Sequence, residues 1–501
     1  ISPDLTRNDK SKQCPSGGPI TKDNTSVEYY GTIFAVAESP LEKGVIWTGS
    51  DDGLIHVTRD AGRNWKKVTP PDLPEWAQIN SIEAHPFEKG GLYVAATRYK
   101  LDDFRPYLYR TTDYGATWSR IDRGIDPMHF TRVIRADPEH RGMLFAGTER
   151  GVYISRDDGG RWEPLQLNLP IVPITDLAIK QGDLIAATQG RGFWILDGLT
   201  LLRELPDQPE KALAKGPHLF TPAPAWRLPG YSGFGPPPEG VGENPPAGAV
   251  VYYWLPEVRP GQTAKIEFLD RDGKVLRTFE GKAEEEPAKP KEEAEKSEDP
   301  ARREKEKEER RKKLEGEEEL KHTVEKGLNR FTWDLRHKEG SSFPEMILWS
   351  GNPAQPRVLP GDYQVRLTVG DTVKTAPLRV LADPRSSATP EDLEAQHRFL
   401  LEIRDKLTET HDTIRRIREV RTQLTGLRER FLDQDGTDDL LDAAEALDKK
   451  MTTVEEALYQ TRNRSRQDPL NFPIRLNDKL NAVAASAASG DARPTAQQVE
   501  V

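Results

Sequence analysis

The chain has 501 residues, 72 Lys plus Arg against 82 Asp plus Glu, a formal net charge of -10 and 35% hydrophobic residues. That length allows about three domains. No apolar run approaches the roughly 18–20 residues needed to cross a bilayer, and mild acidity without a basic block argues against nucleic acid as a partner, because neutralising phosphates takes clustered Lys and Arg. A single cysteine, Cys14, excludes a disulfide framework and a Cys-rich metal site.

Three stretches repeat: Thr58-Arg-Asp60-Ala-Gly62-Arg-Asn-Trp65, Thr111-Thr-Asp113-Tyr-Gly115-Ala-Thr-Trp118 and Ser155-Arg-Asp157-Asp-Gly159-Gly-Arg-Trp162. Each reads Ser/Thr-x-Asp-x-Gly-x-x-Trp. The aspartates at 60, 113 and 157 are 53 and 44 residues apart, close to one four-stranded propeller blade. Short β-rich runs precede each copy (45–48 and 54–58, 92–97 and 107–111, 143–148 and 151–155), and a fourth unit at 174–179, 184–188 and 192–196 keeps the strands without the motif. The motif reads as a turn between third and fourth strands: Asp accepts backbone N–H bonds, Gly takes positive φ, and Trp pins the outer strand. Asp60, Gly62, Trp65, Asp113, Gly115, Trp118, Asp157, Gly159 and Trp162 are therefore structural candidates. Ile1-Ser-Pro-Asp-Leu5 matches Val68-Thr-Pro-Pro-Asp72-Leu73, so the chain is expected to begin inside a blade. A rival expectation has the Ile1 segment complete the fourth unit and close a four-bladed ring.

The blade pattern stops near residue 205. A Gly/Pro-rich linker is expected over 206–249, its aromatics Trp226, Tyr231 and Phe234 anchoring irregular chain. Strand patterns resume at 250–255, 263–269, 275–279, 329–335, 361–369 and 372–380, with Asp272-Gly273 as a hairpin turn; they predict an immunoglobulin-like β-sandwich over 250–385. Residues 283–326 are so rich in Glu, Lys and Arg that they read as a solvated insertion. From Thr389-Pro390 the period becomes helical. Leu393, Leu400, Ile403, Leu407, Ile414, Ile417, Leu424, Leu427 and Phe431 form one seam, and Leu440, Leu447, Met451, Val454 and Leu458 a second, predicting an antiparallel hairpin turning near Asp435-Gly436, with a third helix over 473–488 in the region 386–501. The fold class predicted is mostly β: partial-ring propeller blades over 1–205, then sandwich, then helical hairpin or bundle.

With the motif turns on one rim, chemistry is expected on the other, where second strands meet third strands and blades meet blades. That rim offers Tyr29, Tyr30, Asp51, Asp52, Glu75, Trp76, Gln78, Asp102, Asp103, Arg105, His129, Glu149, Arg150, Gln189 and Arg191. Carboxylates, arginines and aromatics suit a glycan or a polypeptide. Two carboxylates flanking a bond would serve glycoside hydrolysis, and Asp51 or Asp52 with Asp102 or Asp103 are the candidates. The loop carrying Asp102 and Asp103 is longer than its counterparts, which marks it for specificity. Nine scattered His without HExxH argue against a metal, and neither a Gly-rich phosphate loop nor a G-x-S-x-G elbow is present, so no cofactor is expected.

The motif and its blades resemble the BNR/Asp-box propellers of sialidases, xyloglucan-active glycoside hydrolases and sortilin (VPS10-type) receptors. Ile1-Ser-Pro-Asp-Leu-Thr-Arg-Asn8, Gly18-Pro-Ile-Thr-Lys-Asp-Asn24, Tyr30-Gly-Thr-Ile-Phe-Ala-Val36, Thr188-Gln-Gly-Arg-Gly-Phe-Trp-Ile-Leu-Asp197 and Asp468-Pro-Leu-Asn-Phe-Pro-Ile-Arg-Leu-Asn477 look like those of large secreted bacterial proteins called sortilin-like or BNR-repeat glycosyl hydrolases. That resemblance implies an extracytoplasmic protein whose propeller is completed by an N-terminal part carrying a signal peptide. A sialidase-like arginine triad with a Tyr/Glu pair is not assembled here, and no matching context carries the two catalytic Asp of xyloglucan-active relatives onto Asp51 or Asp102. The leading expectation is a rim that binds a glycan or polypeptide, with sandwich and helices as scaffold; the alternative is a glycoside hydrolase, and a third reading gives the helical hairpin a role in assembly.

Overall fold

The computed structural model describes residues 2–12, 30–206, 209–228, 246–284, 322, 324–349, 351–432, 434 and 436–500. Cys14, Tyr29, Tyr231, Phe234, Asp435 and most of 283–326 lie outside these. The chain divides into two compact units, Ile1–Asp207 and Gln208–Val501.

The first unit is a row of antiparallel sheets, each a meander. Blade 1 is β1 (Ile33–Glu38), β2 (Ile46–Ser50), β3 (Ile55–Thr58) and β4 (Lys66–Lys67). Blade 2 is β5 (Gln78–Ala84), β6 (Leu92–Arg98), β7 (Asp103–Thr111) and β8 (Ser119–Arg120). Blade 3 is β9 (Thr131–Ala136), β10 (Leu144–Thr148), β11 (Gly151–Ser155) and β12 (Glu163–Pro164), and blade 4 is β13 (Ile174–Lys180), β14 (Asp183–Thr188) and β15 (Phe193–Leu196). The middle strands are buried on both faces, so they read as apolar runs rather than as alternation: β10 is buried throughout. Separate apolar clusters fill the joints between blades 1 and 2, 2 and 3, and 3 and 4.

The repeated turns are built alike. In the first, the Thr58 hydroxyl donates to Asp60 at 2.8 Å and accepts from Gly62 N at 2.9 Å, while Asp60 also accepts from Asn64 N at 2.8 Å. Asp113 and Asp157 repeat the pattern with Thr117 N and Arg161 N. The turn must leave the right-handed region twice, at Tyr114 and Gly115 and at Asp158 and Gly159. Glycine is needed at the second position for room as well: a Cβ on Gly115 would lie 2.6 Å from Val68, and one on Gly159 2.7 Å from Ile121, in each case a residue of the preceding blade's exit. Trp118 and Trp162 donate Nε1 to the carbonyls of those same residues, Val68 and Ile121. Trp65 instead donates to Gly62 O of its own turn.

Hydrogen bonds from the backbone and side-chain amides of Asn64 and from the Thr58 hydroxyl hold Asp60 down at about 2. Its folded value lies below the unfolded one, so whatever it adds to stability is present above the ordinary carboxylate range and is lost as pH falls towards 2. A carbon-detected NMR titration of the Asp60 and Asp113 carboxyls is expected to give midpoints near 2 for both. Midpoints near 3.8 would mean that the turns do not hold these bonds in solution.

The row is open at both ends. Val36 of β1 is 63% exposed, whereas Ile134 and Leu177, which occupy the same place in the pairing of blades 3 and 4, are 0% and 1% exposed. Phe193 of β15 is 79% exposed, whereas its counterpart Val152 in blade 3 is 3% exposed. Both outer faces thus carry side chains of the kind that fill joints elsewhere. A closed four-bladed ring is not formed: residues 2–12 join no strand, and blade 4 has three strands among the described residues.

The second unit contains a two-layer sandwich. His218–Leu219, Ala249–Leu255 and Gly327–Trp333 make a three-stranded sheet, and Ala225–Trp226, Thr372–Leu381, Gly361–Val369, Thr263–Asp270 and Val275–Lys282 make a five-stranded one. Strict alternation over 249–255 aims every second residue into a core where Phe268 stacks on Trp333 at 4.3 Å. The strands at 218–219 and 225–226 come from the stretch read as linker, too short for a period-2 pattern to show.

The helical region begins with α1 (Pro390–Phe431), started by a Thr389/Asp392 capping box with proline in the first turn. α2 (Asp438–Leu458) folds back, and α3 (Leu476–Ala487) packs Ala484 and Ala487 on Leu400, Ile403 and Leu407. The second seam differs from the one expected. Leu440, Leu447 and Val454 are exposed, and α2 buries Ala444 and Glu455 instead. The reason is electrostatic: Arg418 and Arg421 of α1 bind Glu455 at 2.9 and 2.6 Å, and Arg421 binds Asp448 at 2.8 Å.

Candidate functional site

On the rim opposite the repeated turns, two hollows lie side by side. The first, of about 280 Å3, is lined by Lys12, Tyr30, Asp51, Trp76, Gln78, Thr97, Arg98, Tyr99, Lys100 and Leu101. The second, about 470 Å3 and more open, is lined by Arg98, Leu101, Asp102, Asp103, Phe104, Arg105, Pro127 and Met128. Arg98 and Leu101 form their common wall. Both depend on the long loop after β6, where Tyr99–Leu101 makes a short 3-10 turn ending on Asp102 in left-handed geometry.

Trp76 is also left-handed, at φ 64°, a costly conformation for a bulky residue. It is held there by neighbours: Tyr30 stacks on it at 6.1 Å, and the Arg7 guanidinium and Lys12 ammonium lie 4.9 and 6.0 Å from its ring centre. Burial, aided by the nearby Asp52 and Asp51, pushes the Tyr30 phenol up to about 12, so it remains a hydroxyl at neutral pH.

Three of the four candidate catalytic carboxylates hold loops. Asp51 accepts from Gly31 N (3.0 Å), Thr32 N (2.8 Å) and the Thr32 hydroxyl (3.1 Å). Buried Asp52 accepts from the Ser50 hydroxyl at 2.5 Å and Arg7 N at 2.7 Å. Asp103 accepts two bonds from the Arg105 guanidinium, at 2.9 and 2.8 Å, and one from the Tyr107 hydroxyl at 2.6 Å. The Arg105 bonds hold its carboxyl far below the usual range. Asp103, so held, stays ionised at neutral pH and has no proton to give a leaving group. Asp102 is exposed on the wall of the second hollow.

The structure brings Tyr30, Asp51, Trp76 and Gln78 together in the first hollow and Asp102, Asp103 and Arg105 in the second. The remaining candidates stand outside these two. The His129 ring meets the Tyr153 hydroxyl at 2.8 Å, Glu149 pairs with Arg132 at 2.6 Å, Arg150 N donates to the Thr148 hydroxyl at 3.1 Å, and the Arg191 carbonyl accepts from Trp194 Nε1 at 3.1 Å. Sequence reasoning missed Lys12, Thr97, Arg98, Tyr99 and Lys100. The length of the loop was the available signal for four of them; nothing in the sequence brings Lys12 near Trp76. Among the described residues no group of three or more His, Cys, Asp or Glu is placed to hold a metal ion, and no helix is long and apolar enough to cross a membrane.

No protein-family model matches the chain. A stretch of 107 residues is 26% identical to a probable oligoxyloglucan-reducing end-specific xyloglucanase of Neosartorya fischeri, covering 21% of this chain and 13% of that protein. The chain therefore spans only a small part of the length of the curated relative it matches. Among solved structures it is similar to the GH74 xyloglucanase from Xanthomonas campestris (14% identity, 33% of this chain and 29% of that one, TM-score 0.26) and to YCF48 from Cyanidioschyzon merolae (21% identity, 33% and 52%, TM-score 0.27). The blade architecture itself stands on the strand pairing described above.

Proposed function

We propose that this is an extracytoplasmic propeller protein of the sortilin-like BNR/Asp-box kind that binds a glycan or polypeptide at the rim opposite the repeated turns, with sandwich and helices as scaffold. The observation that carries the reading is the first hollow: a strained, clamped Trp76 beside Tyr30 and a cluster of cations, with Asp51, the one carboxylate among the described residues that line it, held by Gly31 N, Thr32 N and the Thr32 hydroxyl. Such a site favours binding and positioning over proton transfer. The open joint faces of blades 1 and 4 fit further blades of the same polypeptide, as the family resemblance implies. A glycoside hydrolase is the second reading, favoured by exposed Asp102 on the neighbouring hollow and by the partial likeness to a protein named as a xyloglucanase.

The test is a panel of plant and bacterial polysaccharides and peptides, assayed in parallel for binding and for reducing-end release. Binding without turnover is expected, with Trp76→Ala weakening it by about tenfold or more and Asp102→Asn leaving it unchanged. Turnover that falls about 100-fold or more in Asp102→Asn would instead establish the hydrolase.

A further inference from the structure

Between the sandwich strands Gly327–Trp333 and Gly361–Val369 the chain makes an excursion along α1. Ser341 Oγ donates to Asp412 of α1 at 2.9 Å, and Phe343 meets the His411 ring edge-on at 5.4 Å. Where the excursion leaves the sandwich, His337 meets His397, in the second turn of α1. Their Nε2 atoms lie 2.9 Å apart and their ring centres 5.0 Å apart. The backbone of His337 is fixed on the sandwich side: its N–H donates to the Pro356 carbonyl at 2.9 Å, and its carbonyl accepts from Arg277 Nη1 at 3.1 Å. His337 is buried and His397 half-buried.

A ring-to-ring bond of this kind needs one Nε2–H to donate and one bare Nε2 to accept, so at least one imidazole is neutral. Two imidazolium rings would set two N–H groups head-on, and the contact would part. The surroundings oppose even the first added proton. Lys274 and Arg277 of the adjoining hairpin repel charge on His337, Arg227 beside the strand Ala225–Trp226 repels it on His397, and Arg404 of α1 acts on both. Burial works in the same direction and is the larger cause, and the two rings are held down to about 4. The carboxylates around the joint are engaged with other groups: Asp491 with Arg227, Asp405 with Arg404 Nε at 2.8 Å, and Glu339 with Gln355 Nε2 at 2.9 Å. Glu394 and Arg398, the nearest charged residues along α1, are exposed to solvent.

We propose that the His337–His397 contact is an acid-released latch, which joins the sandwich to the first turns of α1 while both rings are neutral and lets them separate when protons enter the pair. The sign follows from the two states. Exposed, each ring returns to an ordinary value of 6.5, whereas in the closed joint both lie near 4. The open joint therefore binds more protons between these values, and the latch is fully effective above about 6.5 and is lost as pH falls towards 4. His411 and His322 are also buried and held low, but they sit elsewhere, His411 on the Ser341 carbonyl midway along α1 and His322 against Tyr253 and Phe331 inside the sandwich. The place where the molecule opens distinguishes the latch from them.

The test is hydrogen exchange on the full chain at about pH 7 and about pH 5, with protection corrected for the intrinsic rate. Amides of 390–403 and 335–341 are expected to lose at least about tenfold in protection on acidification, and those of the sandwich strands to change less. His337→Phe combined with His397→Phe removes both titrating rings and is expected to hold the change at 390–403 to within about twofold. His397→Gln, whose amide can still donate to the His337 ring, is expected to fall between the two. A nitrogen-detected NMR titration of the unsubstituted protein is expected to give midpoints near 4 for both rings, whether or not the double variant folds. Midpoints near 6.5 would overturn the latch. So would a loss of protection that persists in the double variant, or one spread evenly through the second unit, because either would assign the acid response to groups outside the pair.

Discussion

Trp162→Ala is expected to destabilise the blade row by about 3–5 kcal/mol. The indole is 1% exposed, lies in the apolar joint between blades 2 and 3, and gives its Nε1 to the Ile121 carbonyl. Alanine would leave a cavity in that joint and an unmatched carbonyl, two losses that add. For a unit of this size the melting temperature should fall by about 10 °C, read by scanning calorimetry of the first transition. Trp65→Ala provides the internal comparison. That indole is only half-buried and its bond stays within its own turn, so its loss is expected to be less than half as large. Equal losses at the two sites would show that the joint contributes nothing beyond the turn.

Glu455→Ala is expected to cost a similar amount, about 3–5 kcal/mol, in the second unit. Burial pushes the Glu455 carboxyl up, but hydrogen bonds from Arg421 and Arg418 outweigh that and hold it below the usual range. Removing it would take the carboxylate from Arg418 and leave Arg421 with Asp448 alone. Leu447→Ala is the control, since Leu447 is exposed and its truncation should change stability by no more than about 0.5 kcal/mol. Urea unfolding of both variants decides between the observed packing and the apolar seam expected from spacing. A costly Leu447→Ala beside a harmless Glu455→Ala would favour the seam.

That pair also shows how far the sequence could be read. The repeated Ser/Thr-x-Asp-x-Gly-x-x-Trp stretches are legible because a local turn, closed by its own side chains, needs the same residues each time. The long helix is legible for a similar reason, with its cap and apolar spacing both local. The face that α2 buries is not, because Glu455 is buried only where two arginines from another helix reach it. The rim divides in the same way. Trp76 and Asp51 fall in predictable loops, whereas Lys12 comes near the Trp76 ring only through a long-range contact that no local pattern records. Asp52 and Asp103 look identical to catalytic carboxylates in sequence; only their donors, Ser50 and Arg7 for one and Arg105 and Tyr107 for the other, distinguish them.

The exposed faces at Val36 and Phe193 give the first unit a head and a tail. Each joint inside the row sets the first and second strands of one blade against the first strand of the next, as where Gly49 meets Ile79 and Gly147 meets Ile174, so any blade added at either end must arrive in the same order and with the same polarity. Polarity fixes which rim is which. Every added blade would present the loop between its second and third strands on the side that already holds Trp76, and its turn edge on the side of Asp60. Growth of the row therefore lengthens each rim without mixing them, so loops of one kind run along one continuous edge.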